Sequence, residues 1–275
     1  MTIKLIASDM DGTLLDSNQK ISDESKKVIN RVEKLGIKFV IATGRMYCAA
    51  EPFGKELDLN TPIISYNGAF VKERISGEVI SECSLPKELA IDVMKFAFDR
   101  GIYAQTYVDD KLLVRKRELI SDYYAKIANV KYYEVGDEIF NINSDPHKVL
   151  LMTKAGDSML NSRIKEELNK EFGNSIHTTN SMKDFIEIMN PKVNKWEAVK
   201  KVANQYGIKA NEIMCLGDGN NDLDMIINSE YGVAMDNAFE GVKKAADFVT
   251  KSNDENGFAL AINKFLDSAK MNNKK

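Results

Sequence analysis

Histidine is nearly missing from this chain: His147 and His177 are the whole supply in 275 residues. Neither has a partner at ligand or triad spacing, so histidine-based catalysis is not expected. Cysteine is almost as scarce. Cys48, Cys83 and Cys215 are odd in number and far apart, which frames neither a disulfide network nor a zinc motif. Reduced, buried thiols in a cytoplasmic protein are expected instead. There is no excess of positive charge: 38 basic against 41 acidic residues give a formal net charge of −3. That lacks the basic footprint of a nucleic-acid partner. No apolar run approaches the ~20 residues that a membrane helix needs. The chain enters a strand-like run almost at once, with no basic-then-apolar leader. A phosphate loop of Gly-x-x-x-x-Gly-Lys type, a complete dinucleotide fingerprint and a Gly-x-Ser-x-Gly elbow are all absent. What is present is ordinary for a globular protein, 44% apolar and 29% charged. The length fits one or two domains of ~100–200 residues.

Three polar clusters break this plainness. They are Asp9-Met10-Asp11-Gly12-Thr13, Ala42-Thr43-Gly44-Arg45 and Gly217-Asp218-Gly219-Asn220-Asn221-Asp222. Each directly follows an apolar run that reads as a buried strand, at 3–8, 38–41 and 213–216. Ligands of open parallel sheets bind beyond the carboxyl ends of the strands, so the three clusters are expected to meet in one crevice. Asp9 and Asp11 lie two apart, which on a strand puts both carboxylates on one side. Such a pair can divide labour, one ionised as nucleophile and the other carrying a proton. A turn-capping Asx motif is the bland reading of the same residues. Asp218 and Asp222 add two more carboxylates. Each pair of like charges at 4 Å opposes a phosphate by ~4 kcal/mol at an effective dielectric of 20. A hard divalent cation reverses that sign, and Mg²⁺ suits carboxylates plus a substrate phosphate. Asp218-x-Asn220-x-Asp222 imitates the start of a calcium loop, but Leu223 and Ser229 replace its glycine and glutamate. Arg45, Lys195 and the Thr43 hydroxyl would supply donors. Taken singly, each basic residue reads as a solvated charge.

The alternation of strand and helix predicts a parallel sheet with right-handed crossovers. Ser22 is expected to start a helix that Gly36 stops, and a third strand is expected over 62–66. Between about 85 and 186 the rhythm changes to short strands and helices, which predicts an inserted α+β module with a mostly antiparallel sheet. Alternation resumes near Pro191, with helices over 195–206, 222–227 and 257–267, and strands over 231–234 and 247–250. Residues 270–275 are expected to fray.

In this order, the motifs resemble the haloacid dehalogenase (HAD) superfamily of phosphohydrolases, and within it the Cof-type branch. Ser65-Tyr66-Asn67-Gly68-Ala69 and Val233-Ala234-Met235-Asp236-Asn237-Ala238 support the resemblance, which covers nearly the whole chain. It implies an α/β fold: a Rossmann-like core from residues 1–84 and 187–275, with a specificity cap inserted as 85–186. It implies an aspartyl-phosphate on Asp9, with Asp11 protonating the leaving alcohol and then activating water. Mg²⁺ would be held by the Asp9 carboxylate, the Asp11 carbonyl and Asp218, with Asp222 close by. The Met10 N–H, Thr43, the Gly44 backbone, Lys195 and Asn221 would hold phosphoryl oxygens. Arg45, Asn67 and Glu187 are expected near the leaving group. Two positions depart from the family pattern, Trp196 after the lysine and Asp236, each where glycine is usual. Trp196 is either a core-packing residue or an aromatic wall of the pocket. The expected reaction is hydrolysis of small phosphorylated metabolites, sugar phosphates first, by a monomer or weak homodimer. Flavin mononucleotide and pyridoxal phosphate are alternative substrates. A phosphotransferase or mutase, or a non-catalytic binding module, are the alternative functions.

Overall fold

The runs at 5–8, 38–41 and 213–216 are apolar at nearly every position, as strands covered on both faces must be. They pair accordingly. In the computed structural model, which describes residues 3–153, 158–180 and 184–272, five parallel strands form one sheet. Their order is Phe248–Val249, Tyr231–Ala234, Ile213–Gly217, Leu5–Ser8, Lys38–Ile41. A parallel bridge from Ala42 to Ile64 ties on the next segment. Alternate residues face two layers. Ile6, Phe39, Ile41, Met214 and Leu216 pack on helices Asp23–Lys34 and Gly257–Asn272 through Val28, Val32, Phe258 and Ile262. Leu5, Ala7, Val40 and Cys215 pack on helix Lys195–Gln205 through Val199 and Val202. Trp196 belongs to this second layer, 6% exposed. It packs as a core residue of the helix face.

Local signals behave as expected at the first helix. Ser22 accepts from the Ser25 amide as its N-cap, and Gly36 takes φ +76° just beyond its end. The helix at Gly257 runs to Asn272, so 270–272 continue it instead of fraying, and 273–275 lie outside the described residues. Among the described residues no helix is long and apolar enough to cross a membrane.

Two regions differ from the sequence reading. Strands Phe70–Lys72 and Val79–Glu82 join Ile63–Ser65 in a small antiparallel sheet. They are too short and too charged for alternation to be visible. The inserted module is a six-stranded sheet in the order His177–Thr179, Phe185–Met189, Val149–Met152, Tyr103–Val108, Lys111–Val114, Tyr132–Glu134. All its pairs are antiparallel except the last. Strand Phe185–Met189 stays paired across position 187, with Glu187 opposite Leu150 and Ile188 opposite Val149. The chain therefore leaves this sheet after Met189, not at 187. One face of the sheet packs on helices Lys87–Asp99 and Ser158–Phe172 through Val149, Leu151, Ile186 and Ile188. The other carries Tyr107, Leu150, Met152, Phe185 and Met189 into the hydrophobic cluster that also holds Tyr66 and Phe70. Lys148 and Glu187 belong to that second face by strand alternation.

Candidate active site

The order of the parallel sheet reverses between Leu5–Ser8 and Ile213–Gly217, because the chain winds outward from these strands in opposite directions. Such a switch point opens a crevice at the strand ends. Asp9 and Asp218 are the first residues beyond the two strands, and the Asp9 amide donates to the Leu216 carbonyl at 3.0 Å. Gly12 lets the chain turn back there. Its φ is +74°, and a Cβ would collide with the Asp218 carboxylate.

Among the described residues, one group of three acidic side chains converges. Asp9, Asp218 and Asp222 each offer an oxygen within 4.8 Å of the others. Lys195, fully buried, donates to Asp9 Oδ1 and Asp222 Oδ1, both at 2.6 Å. It stands at the first turn of its helix, where Asn194 caps the chain by accepting from the Glu197 amide. Gly68, at φ +100°, leaves room for this helix start; a Cβ there would lie 2.5 Å from the Asn194 carbonyl. Asp222 uses its other oxygen to accept from the Asp218 and Gly219 amides at 3.0 and 2.9 Å. It thus shapes the loop that presents Asp218. Thr13 donates its hydroxyl to Asp218 Oδ1 at 2.8 Å.

One ammonium does not offset this much buried negative charge. Burial first, and Asp222 second, hold the Asp9 carboxyl well above the usual range, against the pull of Lys195. Burial and Asp222 also raise Asp218, to about 7. Burial alone would lower Lys195, but Asp222 and Asp9 beside it raise its pKa. A cluster of hard oxygen donors with an uncompensated negative charge fits a divalent cation such as Mg²⁺. Asp9, Asp218 and Asp222 are the side chains that could hold one; Asp222 already accepts at both of its oxygens.

The remaining expected residues fall around this cluster. Thr43, buried, accepts from the Arg45 amide at its hydroxyl oxygen, 3.1 Å. Met10 is buried in the core, and its carbonyl accepts from Thr13 and Leu15 to close the turn. Asn221 donates its amide to Asn67 Oδ1 at 2.9 Å. Asn67 sits at φ +56° and donates to Glu187 Oε2 at 2.5 Å. Asp11 differs from the expectation of two carboxylates side by side. Its half-exposed carboxylate faces Arg45, which grips it with Nε and Nη2 at 2.7 and 2.6 Å. Gln19 also accepts from Arg45. The strand has ended by Asp11, so two-residue alternation no longer governs where it points. Asp236, the other departure, is exposed and faces Lys243 at 3.7 Å.

Lys148 was not expected here. It is 1% exposed and donates to the Gly44 carbonyl at 2.9 Å and to Glu187 Oε1 at 2.8 Å. The available signal was a lone lysine heading the otherwise apolar run 148–152, with a lone glutamate inside the apolar run 185–189.

Comparisons with known proteins give the chain a family. Residues 6–262 match the model of the haloacid dehalogenase-like hydrolases. The chain is 33% identical over 273 residues to YxeH of Bacillus subtilis (strain 168), a phosphatase by name, covering 96% of this chain and 98% of that one. It is 30% identical over 289 residues to the 5-amino-6-(5-phospho-D-ribitylamino)uracil phosphatase YwtE of the same organism, covering 96% and 98%. The solved HAD subclass IIB sugar phosphatase BT4131 superposes with a TM-score of 0.82 at 25% identity, over 95% of this chain and 98% of that one. With the family model spanning nearly all of its length, the chain belongs to the haloacid dehalogenase-like hydrolases, as a phosphatase.

Proposed function

We propose that this phosphatase hydrolyses phosphate monoesters of polyhydroxylated metabolites, sugar phosphates foremost, through an aspartyl-phosphate on Asp9 and with Mg²⁺ bound. The observation that carries the reading is the meeting of Asp9, Asp218 and Lys195 at the switch point of the sheet. When bound between Asp9 and Asp218, with the Asp11 carbonyl as a further ligand, the cation would offset the charge that otherwise repels a phosphate. An Asp9 oxygen then attacks phosphorus while the bond to the leaving oxygen breaks. Lys195, the Thr43 hydroxyl, the Met10 and Gly44 amides and the Asn221 amide hold the phosphoryl oxygens. Asp11 gives its proton to the leaving alcohol, then takes one from the water that cleaves the acyl phosphate. To do so it must exchange Arg45 for the substrate, which its half-exposed position permits.

Residues 1–84 with the stretch after Met189 form the catalytic unit in this reading, and 85–189 the unit that covers it. YwtE acts by name on a phosphorylated ribityl chain and BT4131 on sugar phosphates. Both names share a phosphate ester on a polyol. Phosphate release from a panel of sugar, polyol, nucleotide and cofactor monoesters, with and without magnesium, tests the assignment. Polyol esters are expected to lead, and turnover undiminished after exhaustive chelation would remove the metal from the account.

The pH dependence of metal binding follows from Asp218. A carboxyl that keeps its proton to about 7 must lose it before it can ligate. The sign is that of a raised folded-state pKa. Without metal, the stability associated with this proton is full at acidic pH and is lost as pH rises through about 7. Added magnesium is therefore expected to raise the melting temperature strongly at about pH 8 and hardly at all at about pH 5. Equal shifts at both pH values would show that Asp218 is not a ligand.

A further inference from the structure

Resting on the phosphatase reading of this site, we infer that Lys148 and Glu187 are positioning residues: seating the inserted sheet sets the geometry of the groups that hold phosphate. The contacts form one unbroken line. Lys148 donates to the Gly44 carbonyl at 2.9 Å and to Glu187 Oε1 at 2.8 Å. Glu187 Oε2 accepts from Asn67 Nδ2 at 2.5 Å, and Asn67 Oδ1 accepts from Asn221 Nδ2 at 2.9 Å. Gly44 and Asn221 belong to two different strand-end loops, while Glu187 lies on strand Phe185–Met189 of the inserted sheet and Lys148 directly precedes the neighbouring strand Val149–Met152.

The chemistry of the carboxylate gives this line a direction. An ionised carboxylate only accepts, so Asn67 must turn its NH₂ group to Glu187 and its carbonyl oxygen to Asn221. Asn221 must then present its own NH₂, spending one N–H on Asn67 and keeping the second for a phosphoryl oxygen. One buried charge on the inserted sheet thus fixes the orientation of two side-chain amides in the catalytic crevice. Lys148 supplies the counter-charge that Glu187 needs at 2% exposure. Its other contact pins the carbonyl of Gly44, between Thr43 and Arg45. Glu187 meets protein donors at both oxygens, which makes it a positioning residue and not a contact for the leaving group. Were the inserted sheet lifted away, Gly44 would lose this pin and Asn67 the partner that orients it.

The test uses the full chain with magnesium and reads binding of inorganic phosphate by calorimetry. Phosphate has no leaving group, so it isolates the positioning role. Lys148→Met and Glu187→Gln are each expected to weaken phosphate binding by about tenfold or more, equivalent to ~1.4 kcal/mol. Each single variant also leaves a buried group without its partner and lowers the melting temperature. The Lys148→Met/Glu187→Gln double variant removes both charges, and its melting temperature is expected to return toward wild type. Its phosphate affinity is expected to stay low, because neither amide orientation nor the Gly44 pin is restored. Phosphate affinity that recovers along with stability would make the pair merely structural and overturn the inference. So would unchanged phosphate affinity in all three variants with a raised KM for sugar phosphates, which would make the pair a leaving-group contact. A wild-type protein that binds phosphate but hydrolyses no ester would instead defeat the phosphatase reading, with the binding test still valid.

Discussion

Asp9→Asn is expected to abolish turnover, by at least ~10⁴-fold, while the metal-free protein melts no earlier than wild type. The two halves of this result come from the same environment. Asp9 is 6% exposed, and burial together with Asp222 makes its ionised form costly in the absence of a cation. An amide of the same shape removes that cost and leaves Lys195 paired with Asp222. Only the nucleophile and a metal ligand are lost, so stabilisation by added magnesium should shrink together with activity. Steady-state kinetics and thermal unfolding of the same preparation check both halves. A variant that keeps near-wild-type kcat would end the covalent mechanism. One that is inactive because it is unfolded would place Asp9 among structural residues.

Lys195→Met is expected to fail on both counts. The ammonium is 0% exposed and bridges two carboxylates at 2.6 Å each. Removing one partner of a buried ion pair costs about 3–5 kcal/mol, because the charge left behind has no compensation. Here two carboxylates are left facing each other. The melting temperature should fall sharply near neutral pH, and kcat by about 10³-fold, in the range for losing a donor to developing charge. Because the carboxylates can take up protons in place of the ammonium, part of the stability should return on acidification. Chemical denaturation across the acid-to-neutral range measures this. Stability that is pH-independent and equal to wild type would mean that the crevice is far wetter than its burial implies.

The convergence of the candidate site was legible in the sequence, and the reason is topological. A parallel sheet delivers the ends of its strands to one edge, so motifs directly after apolar runs are bound to meet there. This gave Asp9, Thr43 and Asp218 their common location from order alone, and Lys195 joined them as the first residue of a capped helix. Asp11 shows where such reasoning stops. Two-residue alternation holds only while the strand lasts, and the strand ends at Ser8. Past it, Gly12 turns the backbone and Asp11 swings to Arg45. The strands at 70–72, 79–82 and 132–134 were invisible because three or four residues are too few to display a period. Lys148 was missed for another reason. Its partner Glu187, 39 residues away, is brought near by pairing of two strands of the inserted sheet, and Gly44, 104 residues away, by the seating of that sheet on a strand-end loop. A charged residue heading an otherwise apolar strand was the available clue, and it pointed to a buried partner of opposite sign.

Trapping the intermediate bears most directly on Asp9 as the nucleophile. Asp11→Asn should slow breakdown of an acyl phosphate, whereas an aryl phosphate, whose leaving group needs no proton, should still load the enzyme. Acid quench of that variant during turnover, then borohydride reduction and peptide mass spectrometry, should find the modification on the peptide containing Asp9 and at that residue. Phosphoryl transfer to any other side chain, or steady phosphate release with no modified peptide at any time point, would contradict the account.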